Sequence, residues 1–146
     1  MLLPLPVVPE ITTPLAFDFI LSEIQKPFVW GETDCCKMGD RWFELNVGYS
    51  PMAEYNKEYY SKDEAEEWIK EKGGLVFAIS DVLKDIQRTR KPKIGDIGVV
   101  KLFGNKLCVA IKTVDFWFSR DVDGIIGAPF NNDLIRAWSI CHLSFL

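Results

Sequence analysis

Residues Phe28 to Phe43 read FVWGETDCCKMGDRWF. A short apolar segment, Phe28-Val29-Trp30, is closed by Gly31, and an acid with two cysteines follows at Asp34-Cys35-Cys36. Thr33 or Asp34 can cap a helix, because either side chain accepts from first-turn N–H groups. The helix so opened begins near Cys35, carries an apolar face at Trp42, Phe43 and Leu45, and stops at Gly48-Tyr49-Ser50-Pro51. A thiol in its first turn lies near the positive end of the macrodipole, which favours the thiolate, the form that attacks carbonyl carbon. Cys35 is therefore a candidate nucleophile. The alternative is that Cys35 and Cys36 are small buried apolar residues, as free cysteines often are. Met38 and Trp42, at helical spacing from Cys35, read as core contacts.

Upstream, Pro4, Pro6 and Pro9 forbid a helix and favour extended backbone, so residues 1–13 are expected to form an arm. That arm folds back on its own domain or lies on a neighbouring subunit, since its Leu, Val and Ile side chains need cover. It has no basic segment or cleavage motif, so no signal peptide is expected. Thr13-Pro14 starts a helix whose apolar positions are Leu15, Phe17, Ile20, Leu21 and Ile24. Lys26-Pro27 ends it.

Downstream lies a tyrosine-rich loop with Tyr49, Tyr55, Tyr59 and Tyr60, readable as a sugar platform or as a protein interface. Ser61-Lys62-Asp63-Glu64 fits a capping box for a helix through Trp68 and Ile69 that stops at Gly73-Gly74. Its charged face suggests i,i+4 pairs such as Glu66 with Lys70. Another helix is expected from Leu75 to Ile86. After Pro92 the period changes, and Ile97–Leu102, Leu107–Thr113, Val114–Ser119 and Leu134–Ile140 are expected strands. Gly104-Asn105 and Asp123-Gly124 mark turns. Helices first and a small antiparallel sheet after give an α+β class, one domain over residues 14–146.

The chain has 146 residues, 48% hydrophobic and 26% charged, with a net charge of -4. An acidic chain without a basic run is a poor nucleic-acid binder, and no stretch is long enough for a membrane span. Four cysteines without a CxxC pair, and a single histidine at His142, do not make zinc spacing, so neither metal nor cofactor is expected. Asp121 and Asp123 alone do not make a calcium loop. Asp96, after Gly95, reads as a turn-former.

Phe28-Val29-Trp30-Gly31 followed by Asp34-Cys35, then Gly95-Asp96 and the strand Leu107-Cys108-Val109-Ala110-Ile111, resembles the NlpC-type papain-fold cell-wall peptidases. The wider set of Pro27 to Gly31, Asp34-Cys35, Gly73-Gly74, Gly95-Asp96, Asp123-Gly124 and Arg136-Ala137-Trp138 resembles a small NlpC-like family of phage and prophage tail gene clusters. The resemblance covers about residues 14–140. It implies a papain-like fold with one helix presenting the Cys35 thiol against the sheet. In the peptidases a histidine opens the second strand and activates the thiol; here that position is Cys108. His142 reaches the site only if the last strand lies beside the thiol helix, and nothing singles out Asp115 or Asp121 as a base. Cys141 and His142 are adjacent and would point to opposite sides of a strand.

The resemblance thus implies a virion protein of a phage tail tip or tail hub, made in the host cytoplasm, with a degenerate catalytic site and other tail proteins as partners. The alternative is an active thiol endopeptidase that cleaves peptidoglycan stem peptides during phage entry, with backbone N–H groups near Cys35 as its oxyanion hole. A redox or metal protein using Cys35-Cys36 is a third class, disfavoured because adjacent cysteines form strained disulfides.

Overall fold

The computed structural model describes residues 13–122, 124–128 and 133–140. The helices are α1 (Thr13–Ile24), α2 (Cys35–Val47), α3 (Pro51–Tyr55), α4 (Lys62–Lys72) and α5 (Leu75–Val82). The strands are β1 (Arg88–Thr89), β2 (Ile97–Lys101), β3 (Leu107–Lys112), β4 (Trp117–Asp121), β5 (Gly124–Ala128) and β6 (Leu134–Trp138). They form one antiparallel sheet in the order β1-β6-β2-β3-β4-β5. The α+β class and the helices-then-strands order follow the sequence reading. Nearly all of the expected arm, and Asp123, Cys141 and His142, lie outside the described residues. Among those residues no helix is long and apolar enough to cross a membrane.

Local chemistry sets the helix ends. Asp34 caps α2 and Gly48, at φ 102°, closes it. Ser61 accepts from Glu64 N (3.1 Å) and caps α4 as expected, while Glu64 reaches back to Tyr60 N (2.9 Å), one residue before the N–H that a full capping box would use. On α4, Glu66 meets Lys62, one turn before it, at 3.8 Å, where the expected partner was Lys70, one turn after it. α5 ends at Val82, earlier than the apolar pattern suggests, because the chain turns there and Ile86 N bonds Leu83 O. Two strands escape the sequence reading. β1 is two residues long and held only as an edge on β6. β5 continues from the turn at Gly124, where only the turn was expected, and pairs with β4 from Asp121↔Gly124 to Trp117↔Ala128.

α2 lies on the sheet, and the main core is the seam between them. Trp42 and Phe43 pack with Val99, Val109, Ile111, Trp138 and Ile140, each side chain contributing about 1.5–3 kcal/mol by leaving water. Trp42 also donates its indole N–H to Gly95 O (2.7 Å), tying α2 to the turn before β2. The seam is tight at Gly39, where an added Cβ would stand 2.8 Å from Val109 Cγ1. Asp96 is more than a turn-former: it is buried and accepts from Lys93 N (2.7 Å) and from Ile140 N (3.0 Å) beyond β6.

Two expectations need correction. Four of the five apolar positions of α1 face outward: Leu15, Phe17, Leu21 and Ile24 are exposed, while the fifth, Ile20, is buried with Ala16 and Glu23. The reason is Glu23, fully buried, which pairs with Arg41 of α2 and with Lys26 (2.8 Å) and so fixes which way the helix turns. Leu45 of α2 is likewise exposed. Second, the four tyrosines do not form one surface: Tyr49 and Tyr55 line a common hollow, and Tyr59 and Tyr60 lie elsewhere. α3 forms inside that loop, capped by Ser50, which accepts from Ala53 N. Tyr59 is buried, Tyr55 donates to Asp81 (2.6 Å), and Tyr60 alone is fully outward.

Candidate functional site

The opening stretch folds around the Asp34 carboxylate. Its Oδ2 accepts from Gly31 N (2.8 Å), and Oδ1 accepts from Cys36 N (3.1 Å), Lys37 N (3.2 Å) and the Tyr59 hydroxyl (2.6 Å). Four donors on a carboxylate that is 1% exposed satisfy it fully. Gly31 is required twice over: its φ is +84°, and a Cβ would stand 2.1 Å from Tyr59 O. The loop and Tyr59 are thus pressed backbone to backbone. Lys37 covers the Tyr59 ring at 5.5 Å.

Cys35 follows as the first residue of α2, half-buried, and packs against the cluster on β2, β3 and β4 that contains Cys108. The two side chains line the same cleft. Cys108 is 1% exposed, the second residue of β3, opposite Val100 of β2. Just beyond, Ser119 donates to Val109 O (2.7 Å) and ties β4 to β3. The structure therefore brings together the two positions the sequence singled out.

Both thiols resist ionisation. At Cys35, the Cys108 thiol acts as a donor and favours the thiolate, but Cys36 and burial outweigh it and push the group well above the ordinary thiol range. Cys108 is also pushed up, first by its role as donor to Cys35 and then by burial, against a weaker pull from Lys106 and Ser119. The expected help from the helix N-terminus is offset by position: the Asp34 carboxylate already sits on the first-turn N–H groups and brings a negative charge there. The same bonds commit Cys36 N and Lys37 N, two of the donors an oxyanion hole at Cys35 would draw on.

A cleft of about 510 Å³ opens beside this pair, within the size range of small-molecule sites. Its walls are largely apolar, with Phe28 and Trp30 from the loop, Ile69 and Leu75 from α4 and α5, and Leu107 and Val122 from the sheet. Phe28 and Trp30 meet edge to face at 5.1 Å. Lys106 and Asp121 form an ion pair at its edge (3.1 Å). Arg120, 4% exposed, sits behind Phe28 with its guanidinium 5.8 Å from the ring and donates to Glu23 O (2.8 Å) and Lys26 O (2.7 Å). It thereby moors the end of α1 to β4.

Of the carboxylates weighed as bases, Asp121 is paired with Lys106, and Asp115 is exposed and does not line the cleft. Met38 and Trp42 are core residues, as expected. No group of three metal-ligating side chains occurs among the described residues. Sequence reasoning missed Tyr59 as the partner of Asp34, and Lys106 and Arg120 as cleft residues. Tyr59 carried a weak signal as one of four clustered tyrosines. Arg120 carried none, because its partners are backbone carbonyls 94 and 97 residues away.

A family profile described as Domain of unknown function (DUF6950) matches residues 13–140. The chain belongs to that family. No curated protein and no solved structure matches it. The matched span begins with α1 and ends two residues beyond β6, so it takes in every element of the site.

Proposed function

We propose that this is an NlpC-like, papain-type domain serving as a subunit of a phage tail tip or tail hub, with a thiol site that no longer hydrolyses. One observation carries the reading. Cys35 shares its cleft with Cys108, at the strand position where the peptidases place an imidazole, and the surroundings push both thiols above the ordinary range. A nucleophile without a base loses several orders of magnitude in rate. A helix-borne thiol against an antiparallel sheet supports the fold assignment. The exposed row Phe17, Leu21 and Ile24 supports a life in contact with other subunits. The phage setting rests on the sequence resemblance.

The test is iodoacetamide alkylation across pH, with the modified residue identified by mass spectrometry, alongside a muropeptide-release assay. The expected result is slow alkylation of native Cys35 at neutral pH, rapid alkylation only after unfolding, and no muropeptide release. Rapid labelling at pH 7 with release of stem peptides would overturn the reading.

The second reading, a thiol endopeptidase acting on peptidoglycan stem peptides, is favoured by the cleft, which gives Cys35 an apolar groove with charged groups at its edge. In that reading the base comes from outside the described residues or from a neighbouring subunit.

A further inference from the structure

Cys35 and Cys108 have a second chemistry that needs no base for acyl transfer. They come from elements distant in sequence, α2 and β3, yet line one cleft, where Cys35 packs against the buried cluster that contains Cys108. Their approach is fixed by the surrounding fold. One turn after Cys35, Gly39 lets α2 settle onto Val109 of β3, with no room for a methyl group between them, while Cys108 belongs to the neighbouring cluster, against which Cys35 also packs. Asp34 holds the first turn from the other side through four hydrogen bonds. Cys36 is the competing partner. It is buried against the α2–α5 side of the core, and a bond between adjacent cysteines closes a strained ring.

We propose that Cys35 and Cys108 are an oxidative modification site, at which a peroxide-class oxidant joins them in an intramolecular disulfide that staples the first turn of α2 to β3. The Cys35 sulfur attacks one peroxide oxygen and the O–O bond breaks. Cys35 becomes a sulfenic acid, and the departing hydroxide leaves as water with the Cys35 proton. The Cys108 sulfur then attacks the Cys35 sulfur. The S–S bond forms, the S–O bond breaks, and a second water leaves with the Cys108 proton. Two thiols lose two electrons and two protons, and one hydrogen peroxide becomes two waters. The half-buried Cys35 is the entry point, and the buried Cys108 resolves it. The raised thiol range makes the first step climb about tenfold per pH unit through neutrality. The inference does not rest on the hydrolase or tail reading.

The experiment treats the intact chain with hydrogen peroxide at pH 7.5 and pH 9. Free thiols are then blocked with N-ethylmaleimide, the protein is digested without reduction, and cross-linked peptides are identified by mass spectrometry. The expected result is a Cys35–Cys108 linked peptide, formed at least tenfold faster at pH 9, removed by dithiothreitol and retained in Cys36→Ser. The oxidised chain should melt higher by about 5 °C or more, since the closed loop is long. A Cys35–Cys36 link, an intermolecular link, accumulation of Cys35 sulfinic acid with Cys108 still free, or no modification at either pH would each overturn the proposal. Mapping the wild-type cross-link keeps the test decisive should Cys108→Ser not fold.

Discussion

The Tyr59 hydroxyl donates to Asp34 Oδ1 at 2.6 Å, with both groups shut away from water. This bond joins the loop before α4 to the N-terminus of the thiol helix. Burial pushes the Tyr59 phenol far above its ordinary value, reinforced by the nearby Cys36 and Asp34 and by its role as donor. A group raised on folding stabilises fully below its unfolded value, about 10 for tyrosine, and that stabilisation is lost as pH climbs beyond it. Tyr59→Phe should cost about 1.5–3 kcal/mol at pH 7 and flatten the loss of stability above pH 10. Urea titrations of both proteins at pH 7 and pH 10.5 check this.

Glu23 works in the opposite direction. Burial alone would raise its carboxyl, but hydrogen bonds and charge from Arg41 and Lys26 outweigh burial and hold it below the usual range. Its stabilisation is complete above the unfolded value of about 4.3 and fades as pH falls through the lower folded value. Glu23→Gln should therefore cost about 3 kcal/mol near pH 7 and much less at pH 3. Thermal melts at the two pH values would sink the assignment if the cost were equal at both.

Gly31 tests the backbone architecture of the site. Alanine there meets both a left-handed φ of +84° and the Tyr59 carbonyl. Relief requires the loop to part from Tyr59, so Gly31→Ala should destabilise by at least about 2 kcal/mol. Gly48→Ala, with the same backbone sign but open space around it, should cost only about 1 kcal/mol. Measured side by side, the difference isolates the close approach.

Placing an imidazole where Cys108 stands should change the chemistry of Cys35. In Cys108→His the ring replaces a thiol as neighbour, and a protonated imidazole favours the thiolate. The alkylation rate of Cys35 at pH 7 should rise at least tenfold, one pKa unit of effect. An unchanged rate would mean that position 108 does not govern the thiol.

How far the sequence reached depended on the range of the forces involved. Asp34, Ser61, Gly48 and Gly73 act on their own turn, so the ends of α2 and α4 were readable, whereas the placing of Cys35 beside the strand of Cys108 came only from the resemblance. The orientation of α1 was not readable, because it is set by Glu23 reaching Arg41 across 18 residues, a pairing that outbids an apolar row. Burial of Tyr59 depends on a glycine 28 positions earlier, and no local pattern encodes that. β1 and β5 are edge strands, which need few apolar residues and so leave little trace.

The outward row on α1 has a wider implication. Because the buried pairing of Glu23 with Arg41 and Lys26 sets the facing of that helix, Leu21 and Ile24 are left on its outer side. Phe17 is different: it meets Phe118 of β4 edge to face at 5.6 Å and so belongs to the fold as well as to the surface. Polar residues in place of Leu21 and Ile24 would remake the outer face of the domain and leave its cleft untouched.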